Sequence, residues 1–291
     1  MRKVFIFTAI LIALSMLTGC ALTARTALTR QGVAFDAESF FAAIEAGQTE
    51  IVDLFVRAGM STSSENEAGH TPLMSAVLYG QSAVIELLLT AGVSPNQVNK
   101  EGWAPLHVAA HNSLPEMTKL LLDKGADVNL LHANGATALL LAVGSQDVGS
   151  LGYLLDNGAD IAATLPNGAA ALHLAAQAGH IETTARLLSS LAAVDATMEG
   201  GFTPLMVAVQ EGHYAIVEAL LVANANVNLA NEQGATALLI AAQDNRLVIA
   251  SLLLLHQADV TATVAGHTAI ALAQAGGHTA MVDLLRTFGA R

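Results

Sequence analysis

Gly201-Phe202-Thr203-Pro204-Leu205-Met206-Val207-Ala208-Val209, then Glu211-Gly212-His213, then Ile216-Val217-Glu218-Ala219-Leu220-Leu221, then Ala225-Asn226-Val227-Asn228: in order, this stretch spells two short helices and a turn. Thr203 suits an N-cap, and Pro204 suits the first helical position, where a missing N–H costs nothing. Leu205, Ala208 and Val209 recur at helical spacing and form one apolar stripe. Gly212 can adopt the left-handed conformation that stops a helix. Ile216, Val217, Leu220 and Leu221 form the stripe of the second helix. Helices this short are marginal in water, so the unit needs a neighbour on each side.

The chain supplies them. Gly69, Gly102, Gly135, Gly168, Gly201 and Gly234 stand 33 residues apart, and Gly266 follows after 32. A fixed period near this length marks a stacked array. The residues in phase with it agree: Gly69-His70-Thr71-Pro72-Leu73, Gly102-Trp103-Ala104-Pro105-Leu106-His107, Leu172-His173-Leu174-Ala175-Ala176, Gly179-His180 and Gly125-Ala126-Asp127-Val128-Asn129. On these motifs the chain resembles the ankyrin-repeat family, from about residue 37 to its C-terminus. The resemblance implies an all-α ankyrin-repeat solenoid of stacked helix-turn-helix units with β-hairpin-like loops.

Ahead of the array, residues 1–19 read as an export signal. Arg2 and Lys3 are its charged start, and Val4 to Leu17 is an almost unbroken apolar run. Leu17-Thr18-Gly19-Cys20 resembles a bacterial lipobox, which implies lipid on Cys20 after cleavage. Cys20 is the single cysteine, so no disulfide can form within one molecule. Two or more acyl chains on one residue hold a protein firmly to a membrane. The resemblance to lipoproteins implies the cell envelope and a periplasm-facing domain. Ala21, rather than Asp, favours the outer membrane over the inner. Residues 20–36 are expected to be a flexible tether, with Arg25 and Arg30 free to meet anionic headgroups.

The domain of residues 37–291 then opens with a capping helix pair over 37–60, in which Phe40, Phe41 and Ile44 face one way and no Thr-Pro-Leu is present. Repeats open at Gly69, Gly102, Gly135, Gly168, Gly201, Gly234 and Gly266. The repeat from Gly135 departs furthest from the pattern. Gln146-Asp147 stands where Gly-His is usual, Ser150 takes an apolar position, and Gly149 and Gly152 fall inside the outer helix. Each such glycine costs about 1 kcal/mol relative to alanine, so this repeat is expected to be the soft joint.

Chemistry is not written here. The sequence carries no paired-cysteine metal motif, no His-Glu-x-x-His, no P-loop and no Gly-x-Ser-x-Gly elbow. No catalytic residue, cofactor or metal is expected. The family resemblance gives His107, His173, His180, His213 and His278 structural roles in loops and turns. The other histidines lie about a repeat apart along the chain, which does not suit a tetrahedral site. Without Arg2 and Lys3 the chain holds 10 basic and 24 acidic residues, a net charge of −14. That balance argues against nucleic acid and anionic membrane surfaces as partners.

The resemblance implies binding to another protein, with the chain itself expected to be a monomer. The resemblance places binding on hairpin tips and on the exposed face of the inner helices. At those places stand Tyr79, Trp103 and His111, expected as one patch, and Phe202 with Glu211, expected as a second. Trp103 has two readings: an anchor for a partner, since aromatic residues are enriched in interface hot spots, or packing on the adjacent hairpin. The function expected is a non-catalytic scaffold or adaptor anchored at the bacterial cell envelope. The alternative is an inhibitor or immunity protein that binds and blocks an effector enzyme.

Overall fold

The computed structural model describes residues 20–290; the export-signal reading falls on 1–19, outside the described residues. The chain divides into two compact units, Met1–Ala133 and Asn134–Arg291. Each is a stack of helix pairs. In the first unit, α1 covers residues 20–30. The pairs that follow are α2 (Ala37–Glu45) with α3 (Thr49–Arg57), α4 (Pro72–Leu78) with α5 (Ser82–Thr90), and α6 (Pro105–His111) with α7 (Pro115–Asp123). In the second unit the pairs are α8 (Ala138–Gly144) with α9 (Val148–Asp156), α10 (Ala171–Ala178) with α11 (Ile181–Ser189), α12 (Pro204–Glu211) with α13 (Tyr214–Val222), α14 (Ala237–Gln243) with α15 (Leu247–Leu255), and α16 (Ala269–Ala275) with α17 (Thr279–Thr287). Inner helices pack on inner helices, α2 on α4 on α6 and α8 on α10 on α12 on α14 on α16.

One position in the turn of every pair needs a backbone that L-residues avoid. The turn between helices has positive φ at Gly47, Gly80, Ser113, Gln146, Gly179, Gly212, Asn245 and Gly277. The periodicity is therefore a periodicity of backbone conformation, which glycine meets most easily and Ser113, Gln146 and Asn245 meet under strain.

From α4 on, inner-helix starts are capped in one of two ways. Thr71, Thr137, Thr203, Thr236 and Thr268 accept, through the hydroxyl, the N–H three residues on. Where alanine stands instead, at Ala104 and Ala170, the third helical residue is histidine, and its Nδ1 accepts from the alanine N–H at 3.1 and 3.2 Å. Either device satisfies a backbone donor that the helix leaves free.

Neighbouring pairs are also tied by the residue that opens each outer helix. Gln81 donates to the carbonyl of Glu45 at 2.7 Å, and Arg246 donates to Gln210 at 2.7 Å. His180, His213 and His278 reach Val143, Gln177 and Gln243 at 3.2, 3.2 and 3.3 Å. A carbonyl only accepts, so the imidazole nitrogen is the donor. Each bond satisfies a carbonyl near the C-terminal end of the preceding inner helix. Leu114 and Asp147 hold the same position with nothing to donate. Asp147 instead accepts from Ser150 N at 2.9 Å, and its Oδ2 is buried without a hydrogen-bond partner among the described residues.

The loops of the second unit carry short antiparallel bridges, Thr164 to Ala170, Met198 to Phe202 and Ala230 to Thr236. The last loop is a true hairpin, β1 (Thr263–Val264) against β2 (His267–Thr268). Ala265 and Gly266 turn it with φ of 50° and 78°, a two-residue turn with both central residues left-handed. This is where the period loses its one residue.

One expectation is corrected. Residues 20–36 are not an unstructured tether, because residues 20–30 are helical, and Ala24 and Leu28 are buried. Arg25 lies over the Phe35 ring at 4.2 Å and donates to the Ala58 carbonyl at 3.3 Å. Phe35 in turn stacks on Phe55 at 5.8 Å. The end of the capping pair is itself apolar, and α1 covers it. Arg25, although exposed, is thus engaged by Phe35 and the Ala58 carbonyl.

This backbone gives two glycine substitutions opposite signs. Gly152 is helical, and an added Cβ would meet nothing nearer than Arg186 Nη2 at 3.9 Å. Gly152→Ala should raise stability by about 1 kcal/mol. At Gly201 the φ is +75° and a Cβ would sit 2.9 Å from Glu232 N, so Gly201→Ala should lower stability by about 1–2 kcal/mol or more. Urea melts of both variants check the opposite signs. Amide exchange tests the soft joint: residues 144–157 should exchange at least about tenfold faster than residues 213–222, and equal protection would sink the idea.

Candidate functional site

The first two loop tips are each built around an asparagine. Asn99 Oδ1 accepts from Trp103 N at 2.8 Å and its Nδ2 donates to Gly69 O at 2.8 Å. Asn66 Oδ1 likewise accepts from His70 N at 2.9 Å. The side chain mimics a backbone turn and sets the direction of the residue after the opening glycine. For the repeat from Gly102 that residue is Trp103.

The Trp103 indole is half-buried among imidazoles. Its ring centre lies 4.5 Å from His132, 5.3 Å from His111 and 6.5 Å from His107. Packing on the adjacent hairpin is therefore realised through His132. The rest of the ring, together with His111, lines a hollow of about 200 Å³ that also includes Ala68 and His70. Tyr79 stands on a second and larger hollow of about 670 Å³, which shares Ala68 and His70 with the first. The Tyr79 side chain, directly after α4, is 51% exposed. Trp103 and His111 thus touch, and Tyr79 faces the adjoining hollow.

The second expected patch is less gathered. Phe202 is half-buried and Glu211 is exposed at the end of α12. The Phe202 carbonyl accepts from His173 Nε2 at 3.0 Å, and among the described residues no hydrogen bond joins Phe202 to Glu211.

Sequence reasoning missed most of the larger hollow. Its floor includes Phe41 and Ala42 of α2, and its rim carries Glu38, Glu45, Glu65 and Glu67. The available signal was the unusually polar linker before Gly69, with two glutamates inside three residues.

Two histidines hold the tips in place. His107 Nε2 donates to Leu130 O at 2.8 Å while its Nδ1 accepts from Ala104 N. His173 does the same between Phe202 O and Ala170 N. Both rings must be neutral, since a proton on Nδ1 would face an N–H donor. Burial pushes both imidazoles below their usual value of 6.5.

No group of three or more His, Cys, Asp or Glu among the described residues could hold a metal ion. No described helix is long and apolar enough to cross a membrane. Cys20 is exposed, with its Sγ 3.7 Å from Arg57 Nη2.

The sequence matches the family model for ankyrin repeats in three copies, over residues 19–99, 82–165, 153–231 and 217–291. No curated protein matches it in a sequence search. Among solved structures it is similar to the ankyrin repeat domain of Bcl-3, described as a unique member of the IkappaB protein family. That likeness has 31% identity and a TM-score of 0.69 over 75% of this chain and 99% of the other. It is also similar to the human ASB11 ankyrin repeat domain, with 28% identity and a TM-score of 0.67 over 76% of this chain and 99% of that one.

Acid should loosen the array. A folded-state pKa held below the unfolded value near 6.5 means the unfolded chain binds more protons, so stability falls as pH drops below that value. The melting temperature should decline as pH falls below about 6.5, and His107→Gln with His173→Gln should flatten that decline. Parallel pH profiles for the wild type and the double variant would contradict this role.

Proposed function

Because the chain belongs to the ankyrin-repeat family, whose domains are protein–protein interaction modules, we propose that it is a non-catalytic adaptor held at the bacterial cell envelope. The observation that carries the binding half is the pair of adjoining hollows at the loop tips, lined by Tyr79 on one side and by Trp103 and His111 on the other. An exposed tyrosine beside a half-exposed tryptophan offers rigid apolar area with polar edges, the kind of anchor that dominates interfaces. Phe202 and Glu211 form a subsidiary contact.

The anchoring half rests on the lipobox-like Leu17-Thr18-Gly19-Cys20 and on the exposure of the single thiol. Residues 1–19 are removed on export, Cys20 is acylated, and Ala21 sends the protein to the outer membrane with its array facing the periplasm. The acid-rich composition also suits a second reading, an inhibitor whose face plugs a basic effector. One stoichiometric basic enzyme as partner would favour that reading, whereas several loosely held envelope proteins would favour the adaptor.

Both halves have direct tests. Labelled palmitate should enter the wild-type chain in cells and be lost with Cys20→Ala; a label that persists without Cys20 refutes the anchor. Crosslinked capture of the partner from native envelopes should fall by about fivefold or more per folded molecule with Tyr79→Ala plus Trp103→Ala. Capture unchanged by that pair would place binding elsewhere.

A further inference from the structure

The larger hollow has a chemistry of its own. Its floor is apolar, formed by Phe41, Ala42 and the Tyr79 ring, while carboxylates rise around it on α2 and on the loop before Gly69. No lysine or arginine lines it. Glu65 is already neutralised, accepting from Lys100 N at 2.9 Å and lying 3.3 Å from Lys100 Nζ. Glu38, Glu45 and Glu67 form no ion pair among the described residues. They line one hollow in which no cationic side chain faces them.

We propose that this hollow receives an arginine- or lysine-bearing segment of the protein partner. The proposal rests on the protein-binding reading above and specifies its partner. A long basic side chain fits both features at once. Its aliphatic stem can lie on Phe41 and Ala42, and its cationic head can meet the Tyr79 ring and the free carboxylates. A volume of about 670 Å³ has room for more than one such side chain. A second copy of this chain is a poor occupant, since without Arg2 and Lys3 it carries 24 acidic residues against 10 basic ones and would be repelled. A metal ion is equally unsuited, because no cluster of ligands gathers there.

A fluorescent hexa-arginine peptide serves as the probe, titrated against the whole chain at about 150 mM salt to screen distant charges. Glu38→Gln, Glu45→Gln and Glu67→Gln together remove three charges from the hollow. Glu182→Gln, Glu218→Gln and Asp244→Asn remove the same number from exposed sites in the second unit. The first triple should weaken the peptide by about tenfold or more, and the second by less than about twofold. Tyr79→Ala alone should cost about fivefold, which keeps the test alive if the first triple melts. Equal losses from the two triples would reduce the effect to net charge and overturn the proposal, as would a wild-type chain that ignores the peptide. Capture of the native partner separates the two readings. If capture survives loss of the three glutamates but not of Tyr79 and Trp103, protein binding stands and the basic-segment inference fails.

Discussion

No helix pair in this chain can stand by itself in water. From α2 onward the helices run to seven to nine residues, well short of the roughly 12–15 at which even good helix formers become marginally stable alone. Every apolar stripe is therefore folded because a neighbouring pair covers it. The same dependence extends to the polar groups. A carbonyl near the end of one inner helix is satisfied by a side chain at the start of the next unit's outer helix, as with Gln81 on Glu45 and Arg246 on Gln210. Apolar burial gives the stack its stability, and these bonds fix its register.

That dependence explains the tolerance of the sequence at some places and its rigidity at others. Thr71 and His107 do equivalent work at helix starts, one as a cap and the other reaching back from the first turn. The left-handed turn between helices accepts Ser113, Gln146 and Asn245 in place of glycine. Gly201, pressed against the backbone of Asn231 and Glu232, has no such latitude. The side chains proposed to bind a partner sit where the scaffold does not constrain identity, at the residue after the opening glycine for Trp103 and at the end of the inner helix for Tyr79 and His111.

The repeats were legible because a backbone conformation recurs at fixed spacing and leaves glycines behind. Capping was legible through Thr-Pro-Leu. The helix over residues 20–30 was not, for a physical reason. Its buried side consists of Ala24 and Leu28 alone, too narrow a stripe to show a period, and the aromatic surface it covers comes from Phe35 and Phe55 further along the chain. The larger hollow was hidden in another way. It is assembled from α2, the loop before Gly69 and the end of α4, and no local pattern announces that three separate segments will enclose one volume. Trp103 was half legible. Its place at a tip left both a partner and the adjacent hairpin open, and His132, the imidazole nearest to it, belongs to the next tip.

The packing of α1 against the capping pair also sets how the molecule responds to mechanical load. Were the amino end fixed to a surface, tension would enter through Cys20 and its neighbour Arg57 and reach the Arg25, Phe35 and Phe55 contacts before any repeat. The array would then peel from that end one unit at a time, and the apolar seal over the capping pair would act as its latch.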